Sequence, residues 1–514
     1  MWSRPKNGPR VTATDAARQR LGLLASFAAG ASVALAFAPF GLWPFAILGP
    51  AALIALWDET TPRRAAVLGF WFNAGTFAAG TYWLYVSIHI FGGAPVWIAF
   101  LLMLGLVAIM GLYHAALGYA VARWLPAHGA WRWLAGIPAA WLLIEWLRGW
   151  FLSGFSWLSL GYSQTDTWLA HLAPVGGVYL LSAVLLVSAG ALVMLLRGRS
   201  LRWRAAALAA LAVPWLASLA LDREWTRASG PPVRVAILQG AIPQDMKWLE
   251  ANRETTLELY AKLTREALGT PLIVMPESAL PELANNLVPY LGRLYSEASA
   301  RGSALVLGLV RASDDGRDYF NSVAALGAEG VGWYDKHHLV PFAEFFPVPK
   351  FVRHWLRLMS LPYSDFTPGP AVQPPLEAAG LSLAAGVCYE DAYGSTLVRA
   401  LPRADALVNV TNDAWFGHST ARYQHFQIAR MRAIEAGRFL VRAANDGVSA
   451  VIGPRGEVVA QAPEYTATVL RATITPRTGL PPYARVGNWA IVVLAVVACA
   501  AAITRRRSAR EVRN

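Results

Sequence analysis

The chain has 514 residues, of which 55% are hydrophobic and only 15% are charged. This composition is too apolar for a soluble protein of that length and predicts a membrane protein with two or three domains. The two cysteines exclude a disulfide framework and a cysteine-based zinc site. The net charge of +13 has to be mapped onto the membrane before it is interpreted as nucleic-acid binding.

Long apolar segments dominate the first 225 residues, and one more lies near the C-terminus. Since about 20 residues at ~1.5 Å per residue cross a bilayer, we expect eight transmembrane helices, of which the second, fifth and seventh are the weakest predictions. The alternative for the first segment is a cleaved signal peptide, although Pro39 makes a poor cleavage junction. The segments cover residues 21–38, 41–57, 66–88, 95–121, 133–147, 172–196, 205–221 and 487–504.

Lysine and arginine residues predict the orientation of these helices. The two tails and every second loop are rich in arginine, whereas the intervening loops hold almost none, with Arg148 as the exception. Because positively charged loops stay in the cytoplasm, we expect both termini to be cytoplasmic and residues 226–482 to lie on the other side of the membrane. The positive charge is then largely a matter of topology, and we expect no nucleic-acid partner.

Glu145 is an ionisable residue within the fifth apolar segment, where a charge is costly unless it is paired. Arg148, one helical turn further on, is the expected partner. Two interpretations of the pair are open: the side chains snorkel toward the outer interface, or they contact lipid headgroups.

The region from residue 230 to residue 480 has a different pattern, in which short β-rich runs alternate with helical stretches. Buried apolar strands interleaved with helices predict a layered α/β domain. We therefore divide the chain into a membrane domain with seven helices (1–225), an α/β domain (226–482), and a last part with the eighth helix and a basic tail (483–514). The β-rich runs are VRVAILQG, PLIVMPES, ALVLGLV, SVAALG, LSLAAGVCYE, ADALVNVTND, FLVRAANDG and SAVIGPRGEVVA.

Three polar residues stand where predicted strands end. Glu277 follows PLIVMP, Lys336 lies in GWYDKHHLVPFAEFFP, and Cys388 follows LSLAAGV. A cysteine nucleophile needs a base that removes the thiol proton and a positive charge for the oxyanion. Glutamate, lysine and cysteine meet these needs without a metal. Taken singly, each residue also has a plain structural interpretation: a solvated strand end, a surface lysine and a small buried thiol.

In this order the three residues resemble the catalytic set of the nitrilase (carbon–nitrogen hydrolase) superfamily, whose fold is an αββα sandwich. Together with the eight apolar segments, further motifs resemble the apolipoprotein N-acyltransferase family of the bacterial inner membrane, which places the α/β domain in the periplasm. The resemblance covers essentially the whole chain, although it assigns no role to Asp391. The motifs are LQGAIPQDMKW, MPESALP, YDKHHLVPFAEF, CYED and NVTNDAWFGHSTARYQHFQIARMRAIEAGR.

The resemblance implies a ping-pong acyltransferase that needs no cofactor. Glu277 would take the thiol proton, Cys388 would accept the sn-1 acyl chain of a phospholipid as a thioester, and Lys336 would stabilise the oxyanion. The α-amine of the N-terminal diacylglyceryl-cysteine of an apolipoprotein would then receive the acyl chain. The alternatives are a membrane-tethered nitrilase-type amidase that acts on a small amide and, outside the enzymes, a transporter with a folded outer domain.

The same resemblance supplies five supporting or substrate-binding residues. By this resemblance Glu344 would orient the lysine or the base, and Trp248 and Asn321 match positions that line the family's site. Tyr389 and Glu390 flank the nucleophile and are expected to gate access or to touch the substrate.

Other motifs receive structural or peripheral interpretations. Asn412-Asp413 is interpreted as a structural turn. His337 and His338 should point apart if they lie in a strand, and no ligand spacing completes a site around them, so we expect no metal. The segment 350–359 is amphipathic, with Trp355 on its apolar face, and predicts an interfacial helix near the mouth of the site.

Overall fold

The computed structural model describes residues 13–198, 200–341, 343–345 and 366–511. The amphipathic segment predicted over residues 350–359 lies outside the described residues. A helical bundle forms the N-terminal part, an α/β domain follows it, and a last helix packs back on the bundle.

Helices occupy all eight predicted apolar segments. The last of them is helix α15, Trp489–Glu511. The helices of the N-terminal part are α1 Ala13–Val33, α2 Phe45–Leu56, α3 Pro62–Gly80, α4 Trp83–Tyr85, α5 Val96–Trp124, α6 Ile137–Arg148, α7 Ala173–Arg197 and α8 Leu201–Leu219.

Among the described residues, four helices are long and apolar enough to cross a bilayer. They are Ala17–Ala36, Val96–Trp124, Trp168–Arg197 and Trp489–Arg506. The other four predicted segments coincide with helices that do not combine the length and the apolarity of a span, because α2 and α6 have 12 residues each and α3 and α8 each include two arginines. By length and composition, the part of the chain that the structure describes therefore holds four candidate spans, as a membrane protein requires.

The α/β domain contains two six-stranded sheets. Their strand orders are β13-β2-β3-β4-β5-β6 and β12-β11-β10-β9-β8-β7, and β1 pairs with β14. The strands are β1 Arg227–Ala228, β2 Val233–Gln239, β3 Leu272–Val274, β4 Ala304–Ala312, β5 Tyr319–Gly327, β6 Gly330–Asp335, β7 Leu376–Ala378, β8 Leu381–Val387, β9 Ala406–Thr411, β10 Leu440–Ala444, β11 Ala450–Ile452, β12 Val458–Gln461, β13 Thr468–Ile474 and β14 Arg477–Thr478. The helices are α9 Gln244–Lys247, α10 Glu250–Ala267, α11 Val288–Ser299, α12 Gly394–Ala400, α13 Ala421–Ala436, α14 Pro482–Val486 and α15 Trp489–Glu511.

Alternation of side chains along the strands builds four layers. In β2, Val235 and Ile237 pack against the other sheet, whereas Leu238 packs under α10 and α11 on the outer face. Helix α13 covers the outer face of the second sheet with Ala429 and Ala433. The result is an αββα sandwich, as the sequence predicts.

Parallel strands position the site. Strands β2, β3 and β4 run parallel in one sheet, and β8, β9 and β10 run parallel in the other. Ligands of parallel sheets bind beyond the carboxyl ends of the strands. Glu277 follows β3 and Cys388 follows β8, so both lie at such ends.

Candidate active site

Cys388 directly follows β8 and begins a 3₁₀ turn, Cys388–Ala392. Its φ is +50°, in the left-handed region that residues with a Cβ rarely adopt. Ser278, which follows Glu277, has a φ of +44°. Strained backbone of this kind concentrates at functional sites, and here it follows two of the three strands that carry candidate catalytic residues, β3 and β8.

Lys336 lies between two carboxylates. Its Nζ is 3.8 Å from Oε1 of Glu277 and 2.9 Å from Glu344. Asn321 links the same two carboxylates, because its Nδ2 donates to Glu277 at 2.7 Å and to Glu344 at 2.8 Å. All four side chains are buried. The structure thus brings together four predicted residues in one hydrogen-bonded cluster.

The charges of this cluster act on the candidate nucleophile. Desolvation raises the pKa of the Cys388 thiol above its ordinary value, Glu277 raises it further, and Lys336 lowers it. Burial lowers the pKa of Lys336, but Glu344 and Glu277 outweigh it and hold that pKa above its ordinary value. At neutral pH the lysine is therefore charged and the resting thiol is protonated.

The backbone of Glu277 is held from two sides. Lys247, which the sequence did not point to, is buried and donates from Nζ to the carbonyl oxygen of Glu277 at 3.1 Å. Burial lowers the pKa of Lys247 to about 8. On the other side a Cβ on Gly308 would lie 2.5 Å from Cα of Glu277. Trp248 follows Lys247 and is 52% exposed, so it lies on the surface beside this anchor.

Glu390 is buried and bonded to four donors. Its carboxylate accepts hydrogen bonds from the backbone N–H groups of Val387, His337 and His338 at 2.9, 2.9 and 3.1 Å, and from the hydroxyl of Tyr334. These bonds join the strand end before the nucleophile to the segment after Lys336. The geometry favours a positioning role for Glu390 over contact with a substrate.

Tyr389 connects the nucleophile to the membrane bundle. Its hydroxyl donates to the carbonyl oxygen of Gly154 at 3.2 Å, and its ring stacks near Phe155 and Trp157. Residues 151–164, here called the docking loop, therefore contact the residue next to Cys388. Tyr389 itself is buried, which makes it part of this interface.

Glu145 and Arg148 hold the docking loop in place. Arg148 donates to the carbonyl oxygens of Phe155 and Trp157, both at 2.6 Å, and Glu145 accepts from the N–H of Leu160 at 2.7 Å. The predicted pair forms at 3.9 Å. Each residue is 3% exposed, so the snorkelling interpretation and the headgroup interpretation are both wrong. The cost of the buried charges is offset by bonds to the loop backbone.

A second buried network, which the sequence did not indicate, bonds to the backbone of Cys388. The carbonyl oxygen of Cys388 accepts hydrogen bonds from Nε2 of His425 at 3.1 Å and from Nδ2 of Asn409 at 3.3 Å. Asp413 bonds to His425 at 2.8 Å and to Arg442 at 2.9 Å. Arg442 lies inside the apolar strand β10. A buried arginine requires partners, and that requirement was the available sign of the network.

Asp413 and Asp391 both face Arg442, which lies 3.0 Å from Asp391. Asp413 also begins a 3₁₀ turn, Asp413–Phe416, as expected, but its carboxylate does more than close that turn. Burial raises the pKa of Asp413, yet the charges of Arg442 and His425 outweigh it and hold that pKa below its ordinary value.

Two groups of side chains contain atoms that could act as metal ligands. Potential ligand atoms of Cys388, Asp413 and His425 lie within 4.8 Å of one another. Arg442 is already ion-paired with Asp413 there and supplies the positive charge that a metal ion would bring. The expectation that His337 and His338 point apart is wrong, because both follow the end of β6 and their rings lie 4.7 Å apart at 88°.

An αββα sandwich with glutamate, lysine and cysteine at its strand ends, attached to apolar helices, defines a membrane-bound protein of the carbon–nitrogen hydrolase class. Residues 234–480 match the model of the carbon–nitrogen hydrolase family, and residues 29–192 match that of the apolipoprotein N-acyltransferase N-terminal domain.

Similar proteins of known name identify the family within this class. Apolipoprotein N-acyltransferases of Chromobacterium violaceum, Vibrio parahaemolyticus and Methylococcus capsulatus are 43%, 39% and 40% identical to this chain. The matches cover 94%, 91% and 94% of this chain and 93%, 94% and 96% of the relatives. The chain belongs to the apolipoprotein N-acyltransferase family. The predicted resemblance and the predicted enzyme class, an acyltransferase, are confirmed.

Proposed function

We propose that the protein transfers an acyl chain from a phospholipid, through a thioester on Cys388, to the α-amine of the N-terminal diacylglyceryl-cysteine of an apolipoprotein. The observation that carries this proposal is the position of Cys388. Cys388 interacts electrostatically with Glu277 and Lys336 of the buried cluster, and Tyr389, directly after it, bonds to the docking loop of the membrane bundle. The names of the curated relatives support the apolipoprotein as acceptor.

In the first half-reaction Glu277 removes the thiol proton, and the sulfur of Cys388 attacks the carbonyl carbon of the sn-1 ester. The ammonium of Lys336 stabilises the oxyanion of the tetrahedral intermediate. When that intermediate collapses, the bond between the carbonyl carbon and the glycerol oxygen breaks. The glycerol oxygen takes the proton from Glu277, and the lysophospholipid leaves.

In the second half-reaction the α-amine of the lipoprotein cysteine attacks the thioester carbonyl. Glu277 accepts a proton from this amine and returns it to the sulfur as the carbon–sulfur bond breaks. An amide forms and the free thiol is restored. No oxidant, reductant or cofactor enters either step, and the two half-reactions share one covalent intermediate, which makes the route ping-pong.

The neighbouring residues then have distinct roles. Glu344 and Asn321 hold Lys336 and Glu277 at their working separation, and the contacts at 2.9, 2.7 and 2.8 Å support this role. Glu390 fixes the backbone on both sides of the site. Tyr389 gates the side that faces the membrane bundle, and exposed Trp248 contacts incoming lipid-linked substrate.

We also propose eight membrane crossings for the chain in the bacterial inner membrane. Residues 1–225 would cross seven times, residues 226–482 would form the periplasmic catalytic domain, and residues 483–514 would return to the cytoplasm. Four candidate spans and the arginine-rich loops support this topology. A reactive cysteine introduced at an exposed position of each domain, tested with a membrane-impermeant reagent in spheroplasts, would distinguish the two sides.

The alternative within enzymes is a membrane-tethered amidase that acts on a small amide. The same three catalytic residues serve both reactions. The docking loop favours lipid-linked substrates, because it binds the residue next to the nucleophile directly to the membrane bundle.

The proposed function is tested by a transfer assay. Purified protein is incubated with a phospholipid labelled in its sn-1 acyl chain and with a synthetic diacylglyceryl-cysteine peptide. The proposal predicts stoichiometric lysophospholipid and N-acylated peptide. Release of free fatty acid alone, with no acylated peptide, would contradict it, as would hydrolysis of small amides at a higher kcat/KM.

A further inference from the structure

We propose that His425 is a positioning residue that holds the nucleophile in its attacking orientation, and that Trp157 of the membrane bundle sets the plane of the histidine ring. This inference rests on the proposed role of Cys388 as the nucleophile. It extends the site from the glutamate–lysine cluster to a second group of residues behind the sulfur-bearing backbone.

The first observation concerns the carbonyl group of Cys388. It accepts from Nε2 of His425 at 3.1 Å and from Nδ2 of Asn409 at 3.3 Å. A φ of +50° is unfavourable for a residue with a Cβ and persists only where the surroundings impose it. Two side-chain donors on this one carbonyl oxygen supply such a constraint.

The second observation is that the histidine ring is itself fixed. Its Nδ1 lies 2.8 Å from Oδ1 of Asp413, and Arg442 binds the other oxygen of that carboxylate at 2.9 Å. Arg442 also binds Asn409 at 2.9 Å, so both donors to the Cys388 carbonyl belong to one network. All these side chains are buried, and a buried network whose members share this many hydrogen bonds holds each of them in one orientation.

The third observation connects the ring to the membrane bundle. The ring centroids of Trp157 and His425 are 5.5 Å apart, and Nε1 of Trp157 donates to Oε1 of Gln424 at 2.7 Å. The backbone of Trp157 is in turn held by Arg148 at 2.6 Å. The bundle therefore contacts both Tyr389, next to the nucleophile, and the histidine behind it.

This geometry differs from that of a cysteine–histidine–aspartate catalytic triad. A carbonyl oxygen only accepts hydrogen bonds, so Nε2 of His425 is the donor in its bond to Cys388. Because Nε2 already carries the proton of this hydrogen bond, it has no free lone pair with which to take the thiol proton. His425 therefore acts on the orientation of the sulfur, and Glu277 remains the base.

The test uses single substitutions in a Cys499→Ala background, so that only Cys388 reacts. We expect His425→Ala to lower the kcat of acyl-enzyme formation about 10²-fold with little change in KM, since a displacement of ~1 Å has that effect. His425→Gln should recover most of the rate, because its amide nitrogen reaches the position of Nε2 and still donates. His418→Ala is the matched control, because His418 is exposed on the same stretch of chain, and it should behave like the parent.

Trp157→Ala provides a second variant that leaves the histidine network chemically intact. It should lower kcat in the same direction as His425→Ala, while melting profiles report folding separately. Parental rates in His425→Ala would overturn the proposal. So would equal losses in His425→Ala and His425→Gln that follow their melting temperatures, since a merely structural role predicts that. Failure of the proposed function is distinguishable, because the parent itself would then carry no acyl group on Cys388.

Discussion

The ammonium nitrogen of Lys336 lies 3.8 Å from Oε1 of Glu277, and the two groups have opposite effects on the Cys388 thiol. Glu277 raises the pKa of that thiol and Lys336 lowers it, while desolvation is the largest cause of its elevation. A nucleophile that stays protonated at rest needs its base at the moment of attack. The ion pair therefore brings the proposed base and the proposed positive charge for the oxyanion together.

Removal of the Glu277 charge and removal of the Lys336 charge should shift the pKa of the Cys388 thiol in opposite directions. Glu277→Gln removes a negative charge, so the pKa of Cys388 should fall and iodoacetamide should alkylate it at lower pH than in the parent. Lys336→Met removes a positive charge, so that pKa should rise and the alkylation profile should move to higher pH. The measurement is the alkylation rate against pH in a Cys499→Ala background.

Acyl transfer should respond differently from alkylation. Both variants should transfer acyl chains at least about 10²-fold more slowly, since Glu277→Gln lacks the base and Lys336→Met lacks the oxyanion partner. A Glu277→Gln protein that acylates as fast as the parent would identify another group as the base. Alkylation profiles that move in the same direction for both variants would refute the electrostatic model.

Substitution of the two cysteines should have very different effects on acyl transfer. Cys388→Ala should abolish transfer, because the reaction has no second covalent route. Cys499 lies in α15, within a candidate membrane span, so Cys499→Ala should retain the parental rate. The transfer assay with labelled phospholipid measures both, and normal turnover by Cys388→Ala would eliminate the covalent mechanism.

Gly308 should tolerate no side chain. A Cβ there would lie 2.5 Å from Cα of Glu277 and 2.6 Å from the carbonyl oxygen of Pro276. We expect Gly308→Ala to displace the base, to lower kcat, and to destabilise the domain by about 1–3 kcal/mol.

Gly292 is the matched control for this substitution. It lies in α11, and a Cβ there meets open space. Gly292→Ala should keep full activity and should stabilise the helix by roughly 0.5–1 kcal/mol. Kinetics and melting curves test the pair, and an active Gly308→Ala enzyme would mean that strand β4 does not fix the base.

Even the replacement of Glu390 by glutamine, which has the same shape, should impair the protein. In the parent, backbone N–H groups donate to both oxygens of the Glu390 carboxylate. In Glu390→Gln an NH₂ group replaces one of these oxygens, so at least one N–H donor faces another donor. We expect a loss of about 1–3 kcal/mol from the unsatisfied donors and slower acyl-enzyme formation. Glu377→Gln is the control, since Glu377 is exposed and bonds only to Ser382 among the described contacts.

If Glu390 instead contacts substrate directly, Glu390→Gln should raise KM while melting temperature and kcat stay parental. That result would contradict the positioning role assigned to this carboxylate.

The sequence predicted the layers of the fold because the buried strands are continuous apolar runs. It also predicted Glu277, Lys336 and Cys388 as one set, since each stands where a predicted strand ends, whereas Glu344 was expected only from the resemblance to the family. It missed β13, whose exposed and buried residues alternate weakly, and it missed the loop contacts of Arg148. Contacts between residues more than 200 positions apart, such as Tyr389 with Gly154, have no local pattern.

His425 was missed for a related reason. It lies within a quoted motif, but its role depends on strand β9, strand β10 and the docking loop meeting behind Cys388. The local sequence predicts only that His425 lies on a helix. Its hydrogen-bond partners become visible only in the folded structure. Arg442, an arginine inside the apolar strand β10, was the one local sign that a buried network exists there.

The most direct measurement is the mass of the peptide that contains Cys388 after brief incubation of the protein with phospholipid and no acceptor. The proposed route predicts that this peptide gains the mass of one acyl chain, that the peptide containing Cys499 does not, and that the added mass disappears when the diacylglyceryl-cysteine peptide is supplied. An unmodified Cys388 peptide in a preparation that transfers acyl chains at full rate would contradict the thioester mechanism.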